Sequence, residues 1–139
     1  MPPRQGAMLN ILFTASWLNC HLQRQLRDFG LSLPQYNILR ILNGSAPKGL
    51  SVLDIKGRMI DRSSNVSRLV EKLRESGLAD RVAHTGDRRM VVVSISEKGK
   101  TMLADIQNAG FVDQDKMPGN KLTEAEATEL ARLLDKFRT

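Results

Sequence analysis

The sequence predicts a mainly α-helical (α+β) fold built as a single domain. Apolar residues recur at steps of three and four in six segments, and helix-capping residues precede several of them. One pair of segments rich in β-branched residues flanks a charged loop that contains Gly86, as in a β-hairpin. At 139 residues, with 41% hydrophobic and 26% charged residues, the chain has the composition of a globular domain.

The first helix is expected to begin at Met8 and to end at Gly30. Residues 1–7 contain two prolines and a glycine, so we expect a loose N-terminal arm there. The apolar stripe of this helix consists of Met8, Leu12, Ala15, Leu18, Leu22, Leu26 and Phe29. Such a long stripe requires a partner surface.

Two shorter helices follow. Ser32 can cap the second helix, with Pro34 in its first turn and Gln35 completing a capping box, and Asn43-Gly44 and Pro47-Lys48-Gly49 are expected to stop it. Ser51 can cap a short third helix.

The fourth helix is predicted from about Ser63 to Ser76, with Asp61 or Ser63 as its cap and Gly77 as its stop. At about 3.6 residues per turn, its apolar residues Val66, Leu69, Val70 and Leu73 share one side. The opposite side is polar and carries Ser64, Asn65, Ser67, Arg68, Glu71 and Lys72.

The hairpin strands are predicted at Leu78–Ala83 and Met90–Ile95. Ser96 can cap a fifth helix, which Pro118-Gly119 interrupts, and Thr123 to Glu126 forms the capping box of a sixth. A third and fourth helix joined by a tight connection and followed by a hairpin constitute a winged helix-turn-helix.

Net charge favours an anionic partner and the motif content argues against an enzyme. The chain carries 21 Lys and Arg against 15 Asp and Glu, a net charge of +6, and its pI is about 9.9. We find no phosphate-binding glycine loop, nucleophile elbow or metal-spaced cluster, so we expect no catalytic residues, no metal and no cofactor. Without a long apolar run, no membrane association is expected, and a single cysteine fits a cytoplasmic protein.

The N-terminal end of the fourth helix is the predicted DNA-reading surface, because a recognition helix presents that end to base edges in the major groove. Arg68 is the best candidate for direct base readout, since its guanidinium matches the two acceptors of guanine. The full predicted set is Arg62, Ser63, Ser64, Asn65, Ser67, Arg68 and Lys72. The alternative is a serine cap on an ordinary solvated helix.

The hairpin supplies the second predicted DNA contact. A hairpin tip reaches a minor groove that a helix is too wide to enter, and arginine is favoured there. The predicted wing residues are Arg81, His84, Asp87, Arg88 and Arg89, with Asp87 as a brace for an arginine or for the loop amides. The alternative is an ordinary charged hairpin tip.

Taken together, these segments resemble the MarR family of multiple-antibiotic-resistance regulators. The resemblance rests on Asp87-x-Arg89 followed by Ile95-Ser96-x-x-Gly99, on Leu33-Pro34-Gln35-Tyr36, on Asn65 to Leu73 and on Ser76-Gly77-Leu78. It implies a homodimeric repressor whose first and last two helices intertwine, bound to double-stranded DNA at a palindromic operator. It also implies relief of repression by a small ligand, often an aromatic acid or phenol.

These expectations divide the chain into residues 1–30 as arm and dimerisation helix, 31–99 as winged helix-turn-helix and 100–139 as C-terminal dimerisation helices. Trp17, His21 and Tyr36 are candidates to line an effector pocket, with core packing as the alternative. We interpret Cys20 as a small buried apolar residue rather than a redox sensor. The competing functional class is a winged-helix module that binds a protein partner without specific DNA binding.

Overall fold

The predicted mainly α-helical fold with a small sheet is confirmed. The computed structural model describes residues 1–83, 86 and 91–139. The elements are α1 (Pro3–Leu26), a 3₁₀ turn (Arg27–Phe29), α2 (Leu33–Ser45), β1 (Leu50–Ser51), α3 (Val52–Arg58), α4 (Val66–Glu75), β2 (Ala79–Ala83), β3 (Val91–Ile95), α5 (Glu97–Asn108) and α6 (Glu124–Phe137). In the part of the chain described, no helix is both long and apolar enough to cross a membrane.

Helix α1 begins earlier than predicted, so the expectation of a loose arm over residues 1–7 is wrong. Pro3 occupies the first turn, where its missing N–H would have had no partner in any case. The helix ends in the 3₁₀ turn, and Gly30 closes it with a φ of 70°. This end is the one that the sequence predicted.

The sheet has three antiparallel strands in the order β1-β3-β2, one more than the predicted hairpin. Leu50 pairs with Val93 on one side of β3, and Arg81 pairs with Val93 on the other. A Cβ on Gly49 would lie 2.2 Å from Cγ1 of Val92 and 2.8 Å from the Val93 oxygen, so only glycine permits this approach. Strand β1 escaped prediction because two residues show no alternation.

The core lies inside the winged helix-turn-helix. Its buried residues come mainly from α2, α3, α4, the sheet and α5; Ile38, Leu39, Ile55, Leu73 and Val93 are at most 1% exposed. From α1 only Leu26 is buried, and α6 has no buried residue within the described chain. The outer helices therefore leave apolar faces uncovered.

A hydrogen-bonded joint fixes α5 against the turn between α4 and β2. The Ser96 hydroxyl donates to the Gly77 carbonyl at 2.6 Å and accepts the Gly99 N–H at 3.0 Å. Lys98 Nζ donates to the Ser76 carbonyl at 2.9 Å, at the C-terminal end of α4. A Cβ on Gly99 would lie 2.3 Å from the Leu78 oxygen. The Ser96-x-x-Gly99 motif therefore has a packing role.

Candidate nucleic-acid interface

Helix α4 begins at Val66 with Asn65 as its cap, so the predicted start near Ser63 and the predicted cap at Asp61 or Ser63 are wrong. Asn65 Oδ1 accepts the N–H of Arg68 at 3.2 Å. Asp61 Oδ1 instead accepts the N–H of Ser63 at 2.9 Å and its hydroxyl at 2.6 Å. These bonds lower the pKa of the Asp61 carboxyl. They form a local turn that competes with helix formation.

The start of α4 presents basic and small polar side chains to solvent. Arg62, Ser63, Asn65, Ser67, Arg68 and Lys72 are exposed, and Ser64 is half-buried. Among the described residues, no carboxylate forms an ion pair with Arg68 or Lys72. Both cations therefore remain available to an anionic partner such as a phosphate backbone.

Arg62 has a structural contact that the sequence did not reveal. Its Nη1 donates to the Gly57 carbonyl at 2.9 Å and lies 3.5 Å from the Lys56 carbonyl. Both carbonyls belong to the last turn of α3, where carbonyls lack intrahelical partners four residues later; the Met59 N–H lies 3.5 Å from the Lys56 carbonyl, and Arg62 supplies the donor to Gly57. Arg62 thus joins the end of α3 to the segment leading into α4.

Arg81, predicted as a wing contact, is exposed on β2 and faces Glu71 of α4. Its Nη1 lies 3.6 Å from Glu71 Oε2. Arg74 Nε also donates to both oxygens of Glu71, at 3.1 Å each. The hydrogen bond from Arg74, with smaller contributions from the charges of Arg74 and Arg81, lowers the pKa of Glu71.

The remaining predicted wing residues, His84, Asp87, Arg88 and Arg89, lie outside the described residues. Their contact with a minor groove stays a prediction. The two strands that flank them are paired along their full length: Ala79 of β2 lies opposite Ile95 of β3, and Ala83 lies opposite Val91.

A cavity of about 680 Å³ lies behind the helix-turn-helix, between α1, α2 and the segment that joins α3 to α4. We call it the α1–α2 cavity. Its apolar wall comprises Leu18, Leu22, Leu33, Pro34, Met59, Ile60 and Phe111; its polar groups belong to Asn19, Gln23, Tyr36, Asn37, Arg40 and Asp61. Burial raises the pKa of the Tyr36 hydroxyl, and the nearby Arg40 charge partly offsets this.

The three predicted effector-pocket residues do not come together. Tyr36 lines the cavity and packs edge to face against Phe111, with ring centroids 4.7 Å apart. Trp17 and His21 instead stack on each other at 5.7 Å and are absent from the cavity lining. Sequence reasoning missed Arg40, although it stands four residues after Tyr36 on α2 and so shares its helix face.

Cys20 is exposed on α1, so the expectation of a buried thiol is wrong. In the described ranges, no three His, Cys, Asp or Glu residues are grouped so that they could hold a metal ion.

Comparison with known proteins finds similarity to the MarR family. The model of the MarR family matches residues 29–90, which span α2 to the hairpin. The chain is 28% identical over 117 residues to the HTH-type transcriptional repressor IacR of Pseudomonas putida, an alignment covering 83% of this chain and 67% of that protein.

Solved structures share the fold over nearly the whole length. A MarR family transcriptional regulator from Streptomyces coelicolor, solved in complex with DNA, is 25% identical with a TM-score of 0.82, covering 94% of this chain and 82% of that one. An organohalide-sensing transcriptional regulator in its 2,4-dichlorophenol-bound form is 21% identical, with a TM-score of 0.82. The alignment covers 99% of this chain and 80% of that one.

Proposed function

Since this chain is similar to the MarR family over residues 29–90 and to curated HTH-type transcriptional regulators, we propose that it is a member of that family, acting as a homodimeric repressor of a palindromic operator that is released by a small aromatic acid or phenol. The observation that carries the proposal is the exposed basic start of α4, with Arg68 and Lys72 unpaired by any described carboxylate. Repression follows from steric occlusion of a promoter.

In this proposal α4 enters the major groove and the hairpin reaches the adjacent minor groove. Arg68 reads a base edge, while Ser67 and Lys72 contact phosphates, and these contacts fix the register of the helix on the duplex without reading sequence. The similarity to a regulator solved with DNA supports DNA as the partner. Arg88 and Arg89 are the proposed minor-groove contacts, with Asp87 as their brace.

The dimer is proposed from apolar surface that one chain leaves exposed. Phe13 on α1 is 75% exposed, and Leu133 and Phe137 on α6 are 48% and 49% exposed. A helix of 14 residues with no buried side chain gains little stability from its own chain. A second copy would cover these faces, and its two-fold axis would place two recognition helices about 34 Å apart on a palindrome.

The α1–α2 cavity is the proposed effector site. Its apolar wall and the Tyr36 ring suit a planar ring, and the Arg40 guanidinium suits a carboxylate or phenolate. The fold shared with a regulator in a 2,4-dichlorophenol-bound form supports a small ligand in this family. Met59, Ile60 and Asp61, which precede α4, form part of the same wall, so an occupant would touch the segment that leads to the DNA-reading helix.

A fluorescence-anisotropy titration tests the proposal. The probes are a labelled duplex from the DNA beside the gene of this protein and a random duplex of the same length. We expect a preference of at least about 10³-fold for the former and a steep fall of affinity with salt, by a slope of about −0.9 per phosphate contact. Equal affinity for both duplexes with a shallow salt dependence would contradict the regulator and favour the protein-binding module.

A further inference from the structure

The segment between α3 and α4 is attached to α2 at one point. We call residues 59–65 the α3–α4 connection. The Ile60 N–H donates to Asn37 Oδ1 on α2 at 3.0 Å. Among the hydrogen bonds of the described residues, no other joins the α3–α4 connection to α2, and the rest of its bonds fall within residues 56–69.

From that point the connection is ordered up to the start of the recognition helix. Met59, only 3% exposed, anchors its beginning in the core. Asp61 then accepts two hydrogen bonds from Ser63, and the Ser64 N–H donates to the Asp61 carbonyl at 3.3 Å. One residue later Asn65 caps α4. We therefore expect a shift at Ile60 to reach the cap, since each of the residues 61–64 between them takes part in a hydrogen bond.

Asn37 also lines the α1–α2 cavity, beside Tyr36 and Arg40. A carboxamide has two acceptor lone pairs and two donors, and Ile60 uses one of the lone pairs. The same side chain thus contacts the space where an effector would bind and the segment that leads to the DNA-reading helix.

We infer that Asn37 is a positioning residue that sets the placement of the start of α4 without touching DNA, and so links the cavity to sequence-specific binding. The inference rests on the proposed function for its DNA readout. The hydrogen bond itself is testable without DNA.

The experiment compares Asn37→Ala, Asn37→Gln and Asn37→Asp in the full-length protein. Alanine removes the acceptor and glutamine displaces it by one methylene, whereas aspartate keeps an oxygen at the same position. Asn43→Ala is the matched control, because Asn43 lies on α2 and its side chain makes no hydrogen bond to the connection. Circular dichroism confirms that each variant is folded.

The first readout is the exchange rate of the Ile60 amide by NMR. We expect exchange at least about tenfold faster in Asn37→Ala and Asn37→Gln, and rates close to the parent in Asn37→Asp and Asn43→Ala. Unchanged Ile60 exchange in the alanine and glutamine variants would overturn the inference. If the alanine variant does not fold, the glutamine variant carries the same comparison.

The second readout is the ratio of affinities for the specific and the random duplex. We expect this ratio to fall about five- to tenfold in Asn37→Ala and Asn37→Gln, the effect of about one net hydrogen bond, and to recover in Asn37→Asp. An equal loss on both duplexes would overturn a role in specific recognition. If the parent protein prefers neither duplex, the proposed regulator is contradicted. Faster Ile60 exchange in the Asn37→Ala and Asn37→Gln variants would in that case still support the link between Asn37 and the α3–α4 connection.

Discussion

Arg81 on β2 lies 3.6 Å, Nη1 to Oε2, from Glu71 on the recognition helix α4. The contact joins the two elements proposed to bind DNA, because β2 leads into the residues predicted as the wing. Arg74 also holds the Glu71 carboxylate, with its Nε donating to both oxygens. Glu71 therefore acts as a shared anchor between helix and wing.

The first prediction concerns the ionisation of Glu71. Its pKa is lowered from 4.5, and the hydrogen bond from Arg74 contributes most. We expect an NMR titration of the Glu71 carboxyl to show a midpoint below 4.5, a rise towards 4.5 in Arg74→Gln, and a smaller rise in Arg81→Gln. Because the folded pKa is the lower one, the stabilising contribution is present above the unfolded value and is lost as pH falls through the folded value.

An unshifted midpoint in the parent, or a larger rise in Arg81→Gln than in Arg74→Gln, would contradict this account. Arg132→Gln on α6 is the control, since Arg132 pairs with Glu129 and has no contact with Glu71. The Glu71 midpoint should not move in that variant.

The second prediction separates the two arginines near the start of α4. Arg68→Ala should leave the melting temperature unchanged, because this exposed side chain makes no ion pair with a described residue. It should relax base preference at one position of each half-site, by about 1–3 kcal/mol. Binding to a panel of single-base operator variants, together with a thermal melt, checks both statements.

Arg62→Ala is expected to behave differently. Its guanidinium satisfies the Gly57 carbonyl at the end of α3, so its loss should lower the melting temperature and weaken all duplexes in parallel, without changing base preference. If Arg62→Ala relaxed base preference while Arg68→Ala did not, our assignment of the two side chains would be reversed.

These cases show what the sequence can and cannot reveal about this fold. The predicted caps Ser32, Ser51, Ser96 and Thr123 are all confirmed, because a cap is a local hydrogen bond between residues three apart. The predicted cap of α4 at Asp61 or Ser63 is wrong because Asp61 bonds to Ser63 in a separate turn and Asn65 caps the helix. Residue spacing alone cannot decide between these two local arrangements.

Contacts between distant segments could not be predicted. The cavity gathers Leu18, Tyr36, Ile60 and Phe111, which come from different parts of the chain. Periodicity marks each of them as apolar or aromatic but does not say which segments meet. For the same reason the sequence cannot separate Trp17 and His21 from Tyr36, although the two stack on each other and are absent from the cavity lining.

The third prediction tests the joint between α5 and the α4–β2 turn. Gly99→Ala should destabilise the protein by about 1–3 kcal/mol, because the added Cβ would meet the Leu78 backbone oxygen at 2.3 Å. Gly57→Ala is the control. That position lies within α3 with nothing inside 4 Å of an added Cβ, so alanine should stabilise by about 0.5–1 kcal/mol. Urea unfolding followed by circular dichroism measures both, and equal effects of the two substitutions would contradict the packing role.

The fourth prediction concerns the apolar faces of α1 and α6. Leu133→Glu should convert the proposed dimer to a monomer, because a charge at an apolar position that the second copy covers loses its hydration without gaining a partner. Sedimentation velocity of parent and variant at the same concentration checks this.

Leu53→Glu is the control for oligomeric state. The Leu53 side chain is 78% exposed, more than the 48% of Leu133, but it lies on α3 rather than on α1 or α6. If association depended only on exposed apolar area, the Leu53 variant would dissociate as readily; we expect it to remain dimeric. Loss of palindrome binding in the Leu133 variant, with single half-sites still bound weakly, would then tie the DNA affinity to the two-fold arrangement.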